Sequence, residues 1–130
     1  PAMYRSLEAG KPVEIEEKDS LADALLGGIG LDNRFTFQMV RDYVDRIILV
    51  SESEIAEAML FCLDRQRLVV EGAGAVGVSA VLTGKISEPG SKTVIVLSGG
   101  NVDAATLVRI ALKNNQAGPA ALPAAATFNF

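Results

Sequence analysis

KTVIVLSGGNVD, residues 92–103, passes from a strand pattern through a pair of glycines into a helix pattern. Residues 93–97 form a short continuous apolar run, too short for an ordinary helix and suited to a strand buried on both faces. Gly99 and Gly100 end it. Beyond them Val102, Leu107, Ile110 and Ala111 recur near helical spacing, and Asn101 or Asp103 can cap the first N–H groups. Strand, glycine turn and helix make up the unit of an open parallel sheet, whose ligands sit in the crevice beyond the carboxyl ends of the strands. Ser98 would present its hydroxyl to that crevice, and the glycines would let a ligand approach the backbone. The same residues also fit a plainer reading, in which Ser98 only ends a strand and Gly-Gly-Asn only turns the chain.

Working outward, residues 72–84 read as a helix of Ala, Gly and Val that packs closely against its neighbours. LVVE at 68–71 either extends the preceding helix or forms another strand. Ser51, with Glu54 three residues later, is a capping box for a helix over 52–65, and a short strand over 47–50 precedes it. Phe37, Val40, Tyr43 and Val44 share one face of a surface helix over 33–45. GGIG at 27–30 implies unusual backbone angles, close approach to something, or a flexible connection. A short helix over 3–9 stops at Gly10, and the segment after Pro12 is mostly irregular, with Asp19 and Ser20 able to cap a brief turn through Leu26. Residues 87–91 read as an exposed turn, and 115–130 as a loose C-terminal tail without periodicity. No internal repeat is visible. The order helix, strand, helix, helix, strand, helix predicts an α/β fold with parallel strands and packed helices, residues 1–114 forming its ordered body.

The chain has 130 residues, 49% hydrophobic and 22% charged, which suits one domain with an aliphatic core. That apolar share hints at surface covered by more chain or by a partner. Pro at position 1, in place of Met, adds the expectation that more chain precedes it. The net charge is −4 and the twelve Lys and Arg are scattered, so no nucleic-acid partner is expected. With no histidine, Ser-His-Asp triads and Cys-His pairs are excluded within the chain, and a histidine-containing zinc site with them. Cys62 is the one cysteine, placed on an apolar helical face as a buried thiol. No apolar run approaches a membrane span, PAMYRSLEAG resembles no signal peptide, and a cytoplasmic location is the default expectation.

Gly72-Ala-Gly74-Ala-Val-Gly77 matches the dinucleotide-binding pattern G-x-G-x-x-G, which makes an NAD-binding module one alternative. The pattern needs an acid roughly 20 residues on to hold the ribose hydroxyls, and that count lands on Leu97-Ser98. A non-catalytic interaction domain is the other alternative.

LLGGIGLDN, VRDYVD, ILVSESEI, LVVEGAGAVG and VIVLSGGNVD, in this order, resemble the C-terminal part of the threonine and serine dehydratase family, which includes serine racemase. A dehydratase of hydroxyectoine breakdown is a nearer flavour of the same resemblance, which runs from about residue 3 to residue 114. It implies a fold-type-II enzyme dependent on pyridoxal 5'-phosphate, acting as an ammonia-lyase: a lysine takes the α proton of a small hydroxy amino acid, the β-hydroxyl leaves, and a keto acid and ammonia result. It implies that Ser98 bonds the pyridine nitrogen, that Gly99, Ala24 and Glu71 line the cofactor, and that Gly27 and Gly28 line the substrate. Gly72 stands where relatives commonly carry proline. Arg67 and Asn101 match positions that touch a nucleotide effector in the racemase, although the match at Arg67 is Arg for Lys, and no nucleotide is expected. The racemase's cation-site position covered here falls on Ala2, so no metal is expected. None of Lys11, Lys18, Lys85, Lys92 or Lys113 lies in the Ser-x-Lys context of the family's cofactor lysine. The chain is therefore expected to be inactive by itself, a partner to a missing N-terminal part, in an enzyme that forms a homo-oligomer.

Overall fold

The computed structural model describes residues 1–86, 90 and 92–115. Its contacts fall into two units, Pro1–Ser20 with Leu25–Leu49, and Leu21–Ala24 with Val50 onward. Of the expected tail at 115–130, Asn115 ends a helix and the rest, with most of the expected turn at 87–91, lies outside the described residues. Gly90, which is described, has φ 65°.

In the first unit α1 (Ala2–Ala9) packs against α2 (Thr36–Tyr43). Gly10 ends α1 at φ 70°, its N–H donating to the Leu7 carbonyl while the Lys11 N–H donates to that of Ser6. Those two bonds satisfy carbonyls that the last turn would leave open. Ser6 is fully buried, and its Oγ accepts the Val13 N–H at 3.0 Å, so the irregular segment after α1 is tied back to it. Asn33 organises the start of α2: its Oδ1 accepts the Phe37 N–H at 2.9 Å, and its Nδ2 donates to the Ile29 carbonyl and to Thr36 Oγ1. Of the apolar residues expected on the inner face of α2, Phe37 is buried, whereas Tyr43 is 82% exposed.

The second unit holds α3 (Glu52–Gln66), α4 (Gly72–Leu82) and α5 (Ala104–Asn115), with α3 packed on both of the others. The capping box forms as expected: Ser51 Oγ accepts the Glu54 N–H, and Glu54 Oε2 accepts the Ser51 N–H at 2.6 Å. Lys85 Nζ donates to the same Glu54 oxygen at 2.7 Å, joining the start of α3 to the end of α4. Arg67 closes α3 in the left-handed region, φ 60°, a conformation that costs a side-chain-bearing residue about 1–2 kcal/mol. Ile55, Ala58, Met59 and Cys62 on α3, Ala75, Val78 and Leu82 on α4, and Ile110 on α5 form the core with Ala22 and Val70. Cys62 is wholly buried, which pushes its thiol pKa up. α4 is apolar on every side, the pattern of an enclosed helix, and Gly72, Gly74, Ala75, Val78, Ser79, Ala80 and Leu82 are all buried.

The expected parallel strands are where sequence and structure part: among the described residues none forms a strand. A sheet ladder is completed by neighbouring strands, and a parallel neighbour always comes from a distant part of the sequence. The run at 93–97 still alternates, with Ile95 and Leu97 packed on the core while Val94 is 90% and Val96 76% exposed. It is covered on one face, not on both. LVVE at 68–71 does not extend α3, which ends at Gln66. A 3-10 turn, Asp23–Leu25, stands where the brief turn before Leu26 was expected.

Candidate cofactor site

Ser98 ends the alternating run with its side chain exposed. The turn after it is gripped from two directions. On one side lies Glu71, the residue before α4, whose side chain makes no bond to that helix's open N–H groups. Its Oε2 instead accepts the Asn101 N–H at 2.9 Å, and its backbone N–H donates to the Gly99 carbonyl at 3.0 Å. A Cβ placed on Gly99 would fall 2.5 Å from Glu71 Oε1, and one on Gly100 would fall 2.8 Å from the Val69 carbonyl oxygen. On the other side is the first turn of α4, where a Cβ on Gly74 would lie 3.1 Å from the Gly99 oxygen. A side chain at 99 would push the Glu71 carboxylate aside, so glycine there lets the carboxylate close on the backbone. Past the turn, Asp103 and not Asn101 caps α5: its Oδ1 accepts the Thr106 N–H at 2.7 Å and its Oδ2 the Thr106 hydroxyl at 2.8 Å. The bond from the Thr106 N–H is the main cause holding the Asp103 carboxyl below its usual range.

Leu21–Ala24 joins the same unit because Gly72 lies directly against the Leu21 carbonyl and the Leu21 N–H donates to Glu52 Oε2 at 2.7 Å. Ala24 is exposed there, its N–H donating to Asp23 Oδ1 at 2.8 Å. Thus Ser98, Gly99 and Glu71 come together, and Ala24 belongs to the unit that carries them. Gly27 and Gly28 belong to the first unit, where Gly27 has φ 106° and Gly30 φ 79°. Of the alternatives open for GGIG, unusual backbone angles hold at these two glycines.

GAGAVG lies within α4 and not in a loop ahead of it. The faces its glycines would offer a phosphate meet protein: Gly72 meets the Leu21 carbonyl, Gly74 meets Val70 and Gly99, and Gly77 meets Ile95. Close helix packing accounts for this motif. Lys85 is engaged with Glu54, and Lys11, Lys18, Lys92 and Lys113 are exposed. Ala2 is buried in α1, and among the described residues no cluster of His, Cys, Asp and Glu is arranged to hold a metal ion. Arg67 pairs with Asp64 at 3.7 Å beside a groove of about 530 Å³ lined also by Leu60, Leu63, Ala111 and Asn114, and Asn101 is not part of it. No helix among the described residues is long and apolar enough to cross a membrane. The bond from Asn101 to Glu71 was not legible beforehand, because it joins residues 30 apart and no local pattern marks it.

Residues 1–99 match the family model for pyridoxal-phosphate-dependent enzymes, and the chain belongs to that family. It is 44% identical over 110 residues to the L-threonine ammonia-lyase of Thermotoga maritima, covering 85% of this chain and 27% of that protein. Against the L-threonine ammonia-lyase of Geobacter sulfurreducens it is 42% identical over 107 residues, 82% of this chain and 26% of that one. The solved structure of maize serine racemase superposes with a TM-score of 0.70 at 34% identity, over 89% of this chain and 36% of that chain. The fold is that of the fold-type-II enzymes, and the chain spans 26% to 36% of the length of these relatives.

Proposed function

We propose that this chain forms one wall of the cofactor site in a cytoplasmic, homo-oligomeric ammonia-lyase that eliminates the β-hydroxyl of a small hydroxy amino acid, giving a keto acid and ammonia. The observation that carries the proposal is an exposed serine hydroxyl immediately before a turn held by Glu71 and the start of α4, in a chain of this family. The residues suit pyridoxal phosphate. Ser98 offers a neutral donor for the ring nitrogen, and Gly99 leaves only backbone beside it. Ala24 and Glu71 belong to the same wall, and the resemblance assigns Gly27 and Gly28 to the substrate. When bound, the cofactor supplies an electron sink next to the α carbon of the substrate. Ser98 does not hold a proton on the ring nitrogen as a carboxylate would, so the sink is weaker and elimination is favoured over racemisation. The lysine that moves the α proton comes from the N-terminal part, which is the partner of this chain.

The experiment uses the full-length protein with pyridoxal phosphate and either threonine or serine, following keto acid and ammonia. Ser98→Ala removes one neutral hydrogen bond, worth roughly 0.5–1.5 kcal/mol, and lowers cofactor affinity by no more than about tenfold. Ser98→Asp raises racemised or transaminated product relative to keto acid. Unchanged affinity and unchanged product ratio in both variants would leave Ser98 as the end of a β-type run and overturn the assignment.

A further inference from the structure

We infer that Glu71 is the positioning residue for Ser98, its carboxylate acting as a clasp that sets the path of the backbone through Gly99, Gly100 and Asn101. This deepens the proposed function and rests on it for the role of Ser98. A carboxylate at the residue before a helix ordinarily turns toward that helix's open N–H groups, where it also meets the favourable end of the dipole. Glu71 forgoes this and reaches across to Asn101. Its backbone and side chain hold both sides of the turn, the N–H on the Gly99 carbonyl and Oε2 on the Asn101 N–H. The missing side chains at Gly99 and Gly100 let the clasp close, since a Cβ on either would strike Glu71 or the Val69 carbonyl. Ser98 is bonded covalently to the first residue of the clasped turn, so any swing of the turn moves its hydroxyl. A displacement of about 1 Å is enough to spoil a bond to a cofactor ring.

Glu71→Ala, Glu71→Gln and Gly99→Ala in the full-length protein separate this role from simple folding. Exchange of the Asn101 amide hydrogen reads the clasp without any cofactor. Glu71→Ala speeds that exchange by about tenfold or more, the order expected when a bond to a charged acceptor is lost. Glu71→Gln keeps an acceptor oxygen in place and restores much of the protection. Gly99→Ala drives the Glu71 carboxylate away and mimics Glu71→Ala, and the two combined add little. With pyridoxal phosphate added, the visible absorbance of the bound cofactor shifts in Glu71→Ala and Gly99→Ala and returns in Glu71→Gln. Wild-type Asn101 exchange that Glu71→Ala leaves unchanged overturns the clasp. Faster exchange with an unaltered cofactor spectrum overturns the link to Ser98. A wild-type protein that takes up no cofactor overturns the functional reading, and the exchange data then still decide whether the clasp exists.

Discussion

Glu54 ties two helix ends together through one oxygen, since Oε2 accepts both the Ser51 N–H and the Lys85 ammonium. The hydrogen bond from Lys85 is the larger cause and that from Ser51 the next, and together they hold the Glu54 carboxyl below its ordinary range despite some desolvation. The carboxylate is therefore favoured more in the folded chain than in the unfolded one. Its stabilising contribution is complete above the unfolded glutamate value of about 4.3 and disappears as pH falls through the lower folded value. Lys85→Met removes the first cause. Melting temperatures followed from neutral pH into acid should fall more steeply through this window for wild type than for Lys85→Met, and identical pH slopes would refute the coupling. The capping box was legible because its members are three residues apart. Lys85 was not, because it arrives from 31 residues away.

α4 shows what a run of small residues is for. Gly72 faces the Leu21 carbonyl, a backbone group that cannot retreat without moving the whole 21–24 segment, whereas a Cβ on Gly77 would fall 2.8 Å from Cγ2 of Ile95, a side-chain atom that yields by a smaller movement. Alanine within a helix otherwise gains up to about 1 kcal/mol over glycine. Gly72→Ala should therefore destabilise by about 1–3 kcal/mol, the usual range for overpacking, and Gly77→Ala by less. Denaturant melts of the two variants test the ordering, and equal midpoints would show that Leu21 is not held against the helix. The pattern G-x-G-x-x-G alone could not distinguish a phosphate cradle from a close helix contact, because both demand a missing Cβ. The partner on the open face decides, and here it is protein.

The second unit leaves Val94, Val96, Val69 and Leu112 between 52% and 90% exposed although its interior is well filled by α3 and α4. Exposed aliphatic residues on one alternating run make a surface that water does not favour. A polypeptide of these 130 residues prepared in isolation should therefore be marginally stable and self-associate, binding dyes that report apolar surface. Sedimentation at rising concentration with a dye titration measures this. A monomer with a sharp cooperative melt and no dye uptake would show that the valines are tolerated in water.

Local chemistry was enough for whatever depends on residues a few positions apart: the stop of α1 at Gly10, the capping box of α3 and the cap of α5 within 101–103. Helix periodicity and the composition of KTVIVLSGGNVD likewise marked Ser98 and its glycines before any coordinates. The tertiary structure decided which capping candidate is used, which faces stay open, and what the glycines make room for. It also decided that 93–97 is covered on one face only, because burial of a strand is a property of its neighbours and not of its own residues. Glu71 is the clearest case. Its position before a helix is visible in the chain, but the N–H it accepts belongs to Asn101, and only the fold places the two within hydrogen-bonding reach.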